Sequence, residues 1–508
     1  MIAQKRKLIE YKQEKENNKI TNYAGTLPIL ELANRIGLFE YADRQINIRS
    51  NGQGWLDSQY FLTILLLNFL GFKHVSDVNI LEKDSGLTEI MKKKRKKLLK
   101  YKNIEKRFRK KVERIFPSDK AIHNYLSSYH NEEEEKRREK FYKKGVAFIP
   151  KENENLKKLN GLYKLLLEFS QRNKPVSRVT LDLDATIKES NKRSAKETYK
   201  PGVKGYQPLN GYWVEKQMVV LSEFRDGNVP AGYKIDEFCR KAFSNIPRNT
   251  GKRYLRSDAA GYNWNLMEYC EEEGIEFSIS CPIYRGIKEK IIEVKEAEWN
   301  KMKNPIPKIL RDKKIEGEWE WVELDYISDN PLSDEFRYIA YRNIIPRDRY
   351  LFGKEEEKYE EEEEEDNSVK QYKKDGKRYR VRVIVTNRRY ITGEELFYWH
   401  NKRCGYSEQV HDIMKNELSG GSFPSDKFGA NAFWWHMMIF SLNILQIYKG
   451  LVLENGWLTR RIKTLRLYFI YLAGRVVSRG RRLFVYVRDK EKFDKITEKI
   501  YLLKLIPI

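Results

Sequence analysis

Three aspartates stand where acidic residues are unusual in a folded core. Asp182 and Asp184 lie two residues apart in TLDLDAT, a segment whose alternation and β-branched content predict a strand. Residues two apart on a strand project from the same face, so both carboxylates lie on one face. Asp258 ends a later predicted strand, in RSDAAGY, and small residues follow it. Burying a carboxylate costs free energy unless a cation compensates, so this pattern indicates a metal site.

The chemistry that fits such a site is cleavage of a phosphodiester bond. Two Mg²⁺ ions about 4 Å apart activate a water and stabilise the leaving oxygen, and hard cations prefer carboxylate ligands. A third acid must come from further along the chain, and a predicted helix offers Glu408, Asp412 and Glu417. Any one of these acids, taken alone, is more often a cap, a turn former or an ion-pair partner. The hypothesis therefore depends on the whole set.

The charge of the chain predicts a polyanionic partner. Lys and Arg number 98 against 73 Asp and Glu, which gives a net charge of +25 over 508 residues. Each phosphate that a basic side chain neutralises releases counterions, so a surplus of this size favours a nucleic acid. The alternative is a basic protein that binds no nucleic acid. The four cysteines show no C-x-x-C pair, which argues against a zinc ribbon and fits a reducing cytoplasm.

Two apolar segments raise the question of a membrane. YFLTILLLNFLGF is too short to span a bilayer, and FWWHMMIFSLNILQIY is interrupted by polar residues. The amino terminus has no apolar run typical of a signal peptide. We therefore expect both segments to be buried helices, with no membrane contact and a cytoplasmic location.

The order of predicted elements around the aspartates indicates an α/β fold. RVTLDLDATI, YWVEKQMVVLSEF and VPAGYKI are predicted as three strands, followed by the helix IDEFCRKAFSNI. KRYLRSDAAGY is then a strand, NWNLMEYCEEEG a helix and IEFSISCPI a strand. This order predicts an RNase H-like core, a mixed five-stranded sheet with flanking helices.

The rest of the chain divides around that core. The predicted parts are a helical N-terminal domain for DNA binding or dimerisation (1–170), the first part of the core (171–285), a β-rich insertion (286–388), the second part of the core (389–450) and a basic C-terminal tail (451–508). Ser118 is predicted as a helix N-cap. The basic stretch 91–114 is either an arm along phosphates or a solvated helix, and the acidic run 355–366 is predicted to be a disordered loop.

Three blocks of sequence resemble those of the DDE transposases of bacterial insertion sequences. LDLDAT with GYQPLNGYW resembles the block of the first aspartate, and RSDAAGYNWNLMEYCEEEGIEFSIS that of the second. VIVTNRR followed by SEQVHDIMKNEL resembles the block that carries a glutamate on a long helix. The β-rich insertion before that helix is typical of one branch, which closes its DNA ends as hairpins.

The resemblance implies roles for particular residues. Asp184, Asp258 and Glu408 match the three catalytic carboxylates, which bind two Mg²⁺ (or Mn²⁺) ions. Lys415 falls at the position of a phosphate-binding lysine, seven residues after the glutamate. Arg403 and Tyr398 lie close to a DNA-binding arginine and tyrosine of that branch, shifted by about one and two residues. Asp182 would support Asp184 from behind.

The resemblance also implies partners and a reaction. The partners are double-stranded DNA, as terminal inverted repeats and target DNA, and a second copy of the chain in the DNA complex. The setting would be the nucleoid in the cytoplasm of a bacterium. Water cleaves a strand and the freed 3′-hydroxyl attacks DNA in line. Trp319 and Trp321 of the insertion either pack in a core, which we favour, or stack on a flipped base.

Other readings of the sequence remain. The nearest enzymatic alternative is an RNase H-like metal-dependent nuclease that cuts without strand transfer. A second alternative is a catalytically inactive derivative that only binds DNA, but the intact set of Asp184, Asp258 and Glu408 argues against it. A basic RNA-binding protein is a further alternative, but it leaves the placement of the acids unexplained.

Overall fold

The computed structural model describes most of the chain. The described residues are 19–49, 53–98, 113–303, 318–326, 334–344, 370–375, 377–403, 410–418, 422–453, 456–479 and 482–506, without the side chains of 93–98, 370 and 373. The acidic run 355–366 and most of the basic stretch 91–114 lie outside this description, so the predictions for them stay predictions.

The N-terminal part is helical after one short strand. Its elements are β1 (Lys19–Thr21), α1 (Thr26–Ile36), α2 (Leu38–Tyr41), α3 (Asp57–Leu70), α4 (Val78–Lys83), α5 (Ser85–Leu98), α6 (Asp119–Ser127), α7 (Glu132–Lys143), α8 (Glu154–Lys158) and α9 (Asn160–Asn173). The side chain of Ser118 accepts a hydrogen bond from the amide of Ala121 at 3.2 Å, which confirms the predicted N-cap of α6. Every residue of α3 is buried, which confirms the buried helix predicted for YFLTILLLNFLGF.

The middle of the chain forms the predicted α/β core. Its elements are β2 (Arg178–Ala185), β3 (Lys188–Glu189), β4 (Lys196–Glu197), β5 (Lys204–Tyr206), β6 (Leu209–Trp213), β7 (Met218–Glu223), α10 (Ile235–Asn245), β8 (Lys252–Ser257), α11 (Trp264–Glu272) and β9 (Glu276–Cys281). The core strands run in the order β7-β6-β2-β8-β9. β6 is antiparallel to both β7 and β2, whereas β2, β8 and β9 are parallel to one another. This order confirms the RNase H-like core.

Two of the predicted strands are wrong. YWVEKQMVVLSEF is a hairpin of β6 and β7 rather than one strand, because Gln217 adopts a left-handed φ of 53° and reverses the chain. VPAGYKI is not a strand. Its backbone turns, with the amide of Tyr233 donating to the carbonyl of Pro230 at 3.0 Å, and Lys234 has a φ of 53° before α10 begins. The core still contains the expected strands, at shifted positions.

The insertion extends the core sheet. Its elements are α12 (Arg285–Glu293), β10 (Asn300–Lys301), β11 (Trp319–Leu324), β12 (Arg337–Ile344), β13 (Lys370–Lys374) and β14 (Lys377–Thr386). β14 pairs with β9, and β12, β11 and β10 follow outward, so the sheet has ten strands in the described part of the chain. The five-stranded sheet predicted for the core is thus half of a larger one. The sequence could not show this because the pairing joins distant strands.

The remaining elements return to the core and then to the N-terminal part. They are α13 (Gly393–Asn401), a π-helical turn (Ile413–Glu417), α14 (Phe428–Ile447), α15 (Ile462–Leu465), β15 (Gly474–Arg479), β16 (Arg482–Tyr486) and α16 (Lys490–Leu502). All residues of α14 are buried, which confirms the prediction for FWWHMMIFSLNILQIY. No single helix in the described ranges is long and apolar enough to cross a membrane. The segments Asp57–Leu70 and Val75–Lys83 reach that length and apolarity only together, and they are bent by 96° relative to each other.

The segment predicted as a basic tail is folded, which corrects that part of the sequence analysis. β15 pairs with β1 and β16, and α16 packs against α1. Arg35 of α1 donates to the carbonyl oxygens of Tyr501 and Leu503, at 3.0 and 3.2 Å. Apolar residues among the basic ones, such as the buried Val476 and Ile500, give the segment a face that packs.

Candidate active site

Asp184 and Asp258 lie at the same edge of the sheet. In the parallel pairing of β2 with β8, the last matched residues are Leu183 and Ser257, so the two aspartates are the next residues along each strand. Both side chains are half-buried. The carboxyl ends of adjacent parallel strands are where open α/β sheets bind ligands. The predicted pair is therefore brought together by strand register.

Asp258 is oriented by the turn that follows it. Its Oδ1 accepts a hydrogen bond from the amide of Ala260 at 3.1 Å, and a short 3₁₀ turn runs through Gly261. A Cβ on Gly261 would lie 2.4 Å from the side chain of Ser257, so the turn needs a glycine there. The small residues after Asp258 thus allow the chain to turn tightly beneath the carboxylate.

Asp182 is compensated by an arginine rather than by a metal ion. Its two oxygens accept hydrogen bonds from Arg256 Nε at 2.7 Å and Nη2 at 2.8 Å, and both side chains are buried. The remaining Nη1 of Arg256 donates to the carbonyl of Trp399 in α13 at 2.6 Å. Burial raises the pKa of Asp182, and the Arg256 guanidinium opposes this. The pair ties β2 to β8 and α13, behind Asp184.

The third predicted carboxylate, Glu408, lies outside the described residues. The two other acids considered from the sequence, Asp412 and Glu417, both form ion pairs with Arg461. Glu417 also accepts a hydrogen bond from the amide of Lys463 at 2.6 Å. Of the three helix acids considered from the sequence, Glu408 is the one that these contacts leave as a candidate ligand.

The donor set fits a hard divalent cation as far as it is described. Asp184 and Asp258 supply carboxylate oxygens at adjoining strand ends, and such oxygens are the preferred ligands of Mg²⁺. Within the described ranges, no three His, Cys, Asp or Glu side chains group into a metal site.

Basic side chains surround the sheet edge. Lys415 is exposed on the π-helical turn, and its charge acts on Lys188. Burial of the Lys188 side chain lowers its pKa to about 7, and the positive charge of Lys415 is the second cause of this shift. The Nζ of Lys188 donates to the carbonyl of His411 at 3.2 Å. Arg403 is half-buried, and its charge acts on Asp182 and His411. These cations can offset the charge of phosphates that approach the carboxylates.

Tyr398 lies with the aromatic cluster of the insertion. It packs beside Phe397 and Trp321 on α13 and β11. Trp319 is buried and its ring lies 5.0 Å from that of Phe397, so packing accounts for Trp319, as we favoured. Lys415 thus acts on Lys188, and Arg403 acts on Asp182 and His411, whereas Tyr398 packs against the aromatic cluster of the insertion.

Sequence reasoning missed His411 and Asn210. The Nδ1 of His411 lies 3.4 Å from Oδ2 of Asp184, and its Nε2 lies 3.2 Å from Nδ2 of Asn210. Burial, followed by Lys188 and Arg403, lowers the pKa of His411 to about 3, so the ring is neutral. A signal was present, since His411 follows Glu408 by three residues and Asn210 stands in the GYQPLNGYW block. Neither residue identifies its partner without the fold.

Comparison with known proteins decides the family. The model of the family described as "Transposase DDE domain group 1" matches residues 6–340. The chain belongs to this transposase family. It is a DNA transposase of the DDE type, an enzyme that cleaves and joins DNA strands, and this family works with divalent metal ions. The match includes Asp184 and Asp258 and ends before Glu408.

Other comparisons add less about the transposase. No curated protein matches the chain. One solved structure similar to it is a cryo-EM structure of piggyBac transposase in a synaptic complex with hairpin DNA. The identity is 10%, the likeness covers 90% of this chain and 82% of that chain, and the TM-score is 0.45.

Proposed function

We propose that this transposase cuts DNA at the ends of an insertion sequence and joins them to a target, with Asp184, Asp258 and Glu408 as its catalytic carboxylates. The observation that carries the proposal is the register of β2 and β8, which aligns Asp184 with Asp258 at one sheet edge. The half-burial of both side chains favours strong electrostatics while leaving the edge open to a substrate.

The carboxylates would hold two Mg²⁺ or Mn²⁺ ions. Such ions lower the pKa of a bound water and stabilise the leaving 3′-oxygen. The chain's own residues orient the substrate. Lys415 presents an exposed ammonium to a phosphate, and Arg403 contributes a second positive charge close to Asp182. The Asp182–Arg256 pair holds β2 and β8 in register, so it positions Asp184 and Asp258 without contacting substrate.

The DNA partners follow from the reaction and the charge. A net charge of +25 favours binding to the phosphates of terminal inverted repeats and target DNA. Two element ends must be held together for joining, so we propose a homodimer in the DNA complex. We also propose that the transposase works on the nucleoid of a bacterial cytoplasm.

The first test removes one carboxylate at a time. Asp184→Asn and Asp258→Asn should each lower metal-dependent cleavage of a plasmid carrying the element ends by about a thousandfold or more, because a neutral amide cannot replace a ligand carboxylate. DNA binding, measured by gel shift, should be retained. Asp412→Asn is the matched control on the third-carboxylate helix, since Asp412 pairs with Arg461, and it should cleave like the wild type.

The products distinguish the remaining alternatives. Joined strands show a transposase that completes both steps, whereas cutting without joining in Mg²⁺ or Mn²⁺ would reduce the activity to that of a nuclease. Binding without cleavage by the wild-type chain would contradict the proposed activity and favour an inactive derivative.

A further inference from the structure

A line of buried polar side chains runs from helix α14 to Asp184. The indole Nε1 of Trp435 donates to Ser222 Oγ at 2.8 Å, and that hydroxyl donates to Asn210 Oδ1 at 2.6 Å. Asn210 Nδ2 lies 3.2 Å from His411 Nε2, and His411 Nδ1 lies 3.4 Å from Asp184 Oδ2. We call these four residues, from Trp435 to His411, the relay.

The chemistry of the relay fixes the direction of every proton in it. An indole N–H can only donate, so Ser222 accepts from Trp435 and must direct its own proton to Asn210. The hydrogen bond from Ser222 fixes which side of the Asn210 amide carries the oxygen, so the NH₂ group of Asn210 faces His411. The Nε2 of His411 is therefore an acceptor, and its ring proton is on Nδ1, which faces Asp184.

Most of the relay is buried and lies on regular secondary structure. Trp435, Ser222 and Asn210 are each no more than 2% exposed, on α14, β7 and β6. Asn210 pairs directly with Asp184 across β6 and β2. The carbonyl of His411 is held by Lys188, at 3.2 Å. Three of the four members therefore stand on regular elements, and these hold the Asn210 amide that faces the ring of His411.

We propose that His411 is a positioning residue which donates from Nδ1 to Asp184 and so fixes the orientation of that carboxylate for a divalent cation. The inference rests on the proposed function of Asp184 as a metal ligand. A hydrogen bond to one carboxylate oxygen removes the freedom of the carboxylate to rotate, so less order has to be gained when metal binds. Residues behind metal ligands act in this way, and their loss costs about 10- to 100-fold in metal affinity.

The test measures metal binding directly, with Mn²⁺ as the probe, by electron paramagnetic resonance on the full-length chain. His411→Leu should weaken Mn²⁺ binding by about 10- to 100-fold. His411→Gln, whose amide can still donate, should recover part of that loss. Cleavage by His411→Leu should require more Mn²⁺ for half of its maximal rate, with a smaller change in the rate at saturating Mn²⁺.

A remote variant separates positioning from packing. Ser222→Ala removes one oxygen far along the relay and lets the Asn210 amide turn over, so Mn²⁺ binding should weaken several-fold although the substituted residue does not contact Asp184. The double variant with His411→Leu should bind Mn²⁺ no more weakly than His411→Leu alone, since both act through one path. His436→Leu is the control: it removes another buried histidine, paired with Tyr163, and should lower the unfolding temperature but leave Mn²⁺ affinity unchanged.

The outcomes distinguish this inference from the proposed function. If Asp184→Asn leaves Mn²⁺ binding unchanged, the proposed metal site itself is wrong. If Asp184→Asn abolishes binding while His411→Leu and Ser222→Ala bind like the wild type, the metal site stands and the role of the relay is overturned. Equal losses in His411→Leu and His436→Leu would show a structural effect alone and would also overturn it.

Discussion

The buried ion pair of Asp182 and Arg256 shows how a single residue can mislead a reading of the sequence. An acid on a buried strand needs a positive partner, and the sequence cannot say whether that partner is a metal ion or a side chain. Here the guanidinium of Arg256 donates a hydrogen bond to each oxygen of Asp182, at 2.7 and 2.8 Å. Asp184, two residues on, faces a neutral histidine instead. Neighbouring acids on one strand face thus have different chemistry.

At this scale we expect Arg256→Met to lower the free energy of unfolding by about 3–5 kcal/mol, because it leaves the Asp182 carboxylate buried and unpaired. Urea unfolding followed by circular dichroism measures the change. Arg285→Met, which breaks a solvent-exposed ion pair with Glu289, should change the stability far less, because water and salt screen that pair.

The double variant Asp182→Leu/Arg256→Met checks the reason for that loss. Replacing both partners by apolar residues removes the unpaired charge and should recover most of the stability. A double variant as unstable as Arg256→Met alone would show that the loss comes from packing and not from the buried carboxylate.

Among the elements, α14 depends on a close contact of backbones. The residue Gly429 lies in its first turn, and a Cβ there would lie 2.2 Å from the carbonyl oxygen of Tyr129 and 2.7 Å from His130 Cα. Backbone atoms cannot move aside as a side-chain tip can, so the glycine sets how closely α14 approaches the end of α6. This contact anchors the helix that begins the relay.

We expect Gly429→Ala to destabilise the protein by about 1–3 kcal/mol, since overpacking outweighs the higher helix propensity of alanine, which is worth about 1 kcal/mol. Gly286 in α12 is a matched control, because its nearest neighbour would be 3.5 Å from the new Cβ. Gly286→Ala should be neutral or stabilising by up to about 1 kcal/mol. Thermal unfolding of both variants compares them, and a stabilised Gly429→Ala would contradict the geometry.

The elements also show what a sequence can predict. Local patterns found most core strands, the N-cap at Ser118 and the buried α3 and α14, because alternation, capping and apolar content are properties of neighbouring residues. Strand pairing is not local, so the extension of the sheet by β14 and the pairing of β1 with β15 were not predicted. The relay was missed for the same reason, since it joins residues as far apart in the chain as Asn210 and Trp435.

On the scale of the whole molecule, buried histidines link stability to pH. Burial lowers the pKa of His436 to about 4, and it lowers the pKa of His400 and His411 as well. Between pH about 6.5 and 4 the unfolded chain binds a proton at position 436 that the folded chain does not. Stability contributed by the neutral histidine is therefore present above pH 6.5 and is lost as the pH falls through this window.

We expect the free energy of unfolding to fall by about 1.4 kcal/mol per pH unit for each such histidine, and by about 3 kcal/mol for His436 across its window. His436→Gln should reduce the dependence of the unfolding free energy on pH by the contribution of one proton. Urea unfolding from pH 7 to pH 4 measures this change. The same substitution at the exposed His123 is the control. An unchanged slope in His436→Gln would contradict the assignment.

The pairing of β1 with β15 has a consequence for synthesis. Thr21 pairs with Gly474, so nearly the whole chain must leave the ribosome before the first strand finds its partner. At about 5–20 residues per second, the N-terminal helices wait roughly half a minute to a minute and a half with that edge uncovered. A chain that stops early lacks β15 and α16 and cannot complete this region. The fold therefore ties assembly of the N-terminal part to the arrival of β15 and α16.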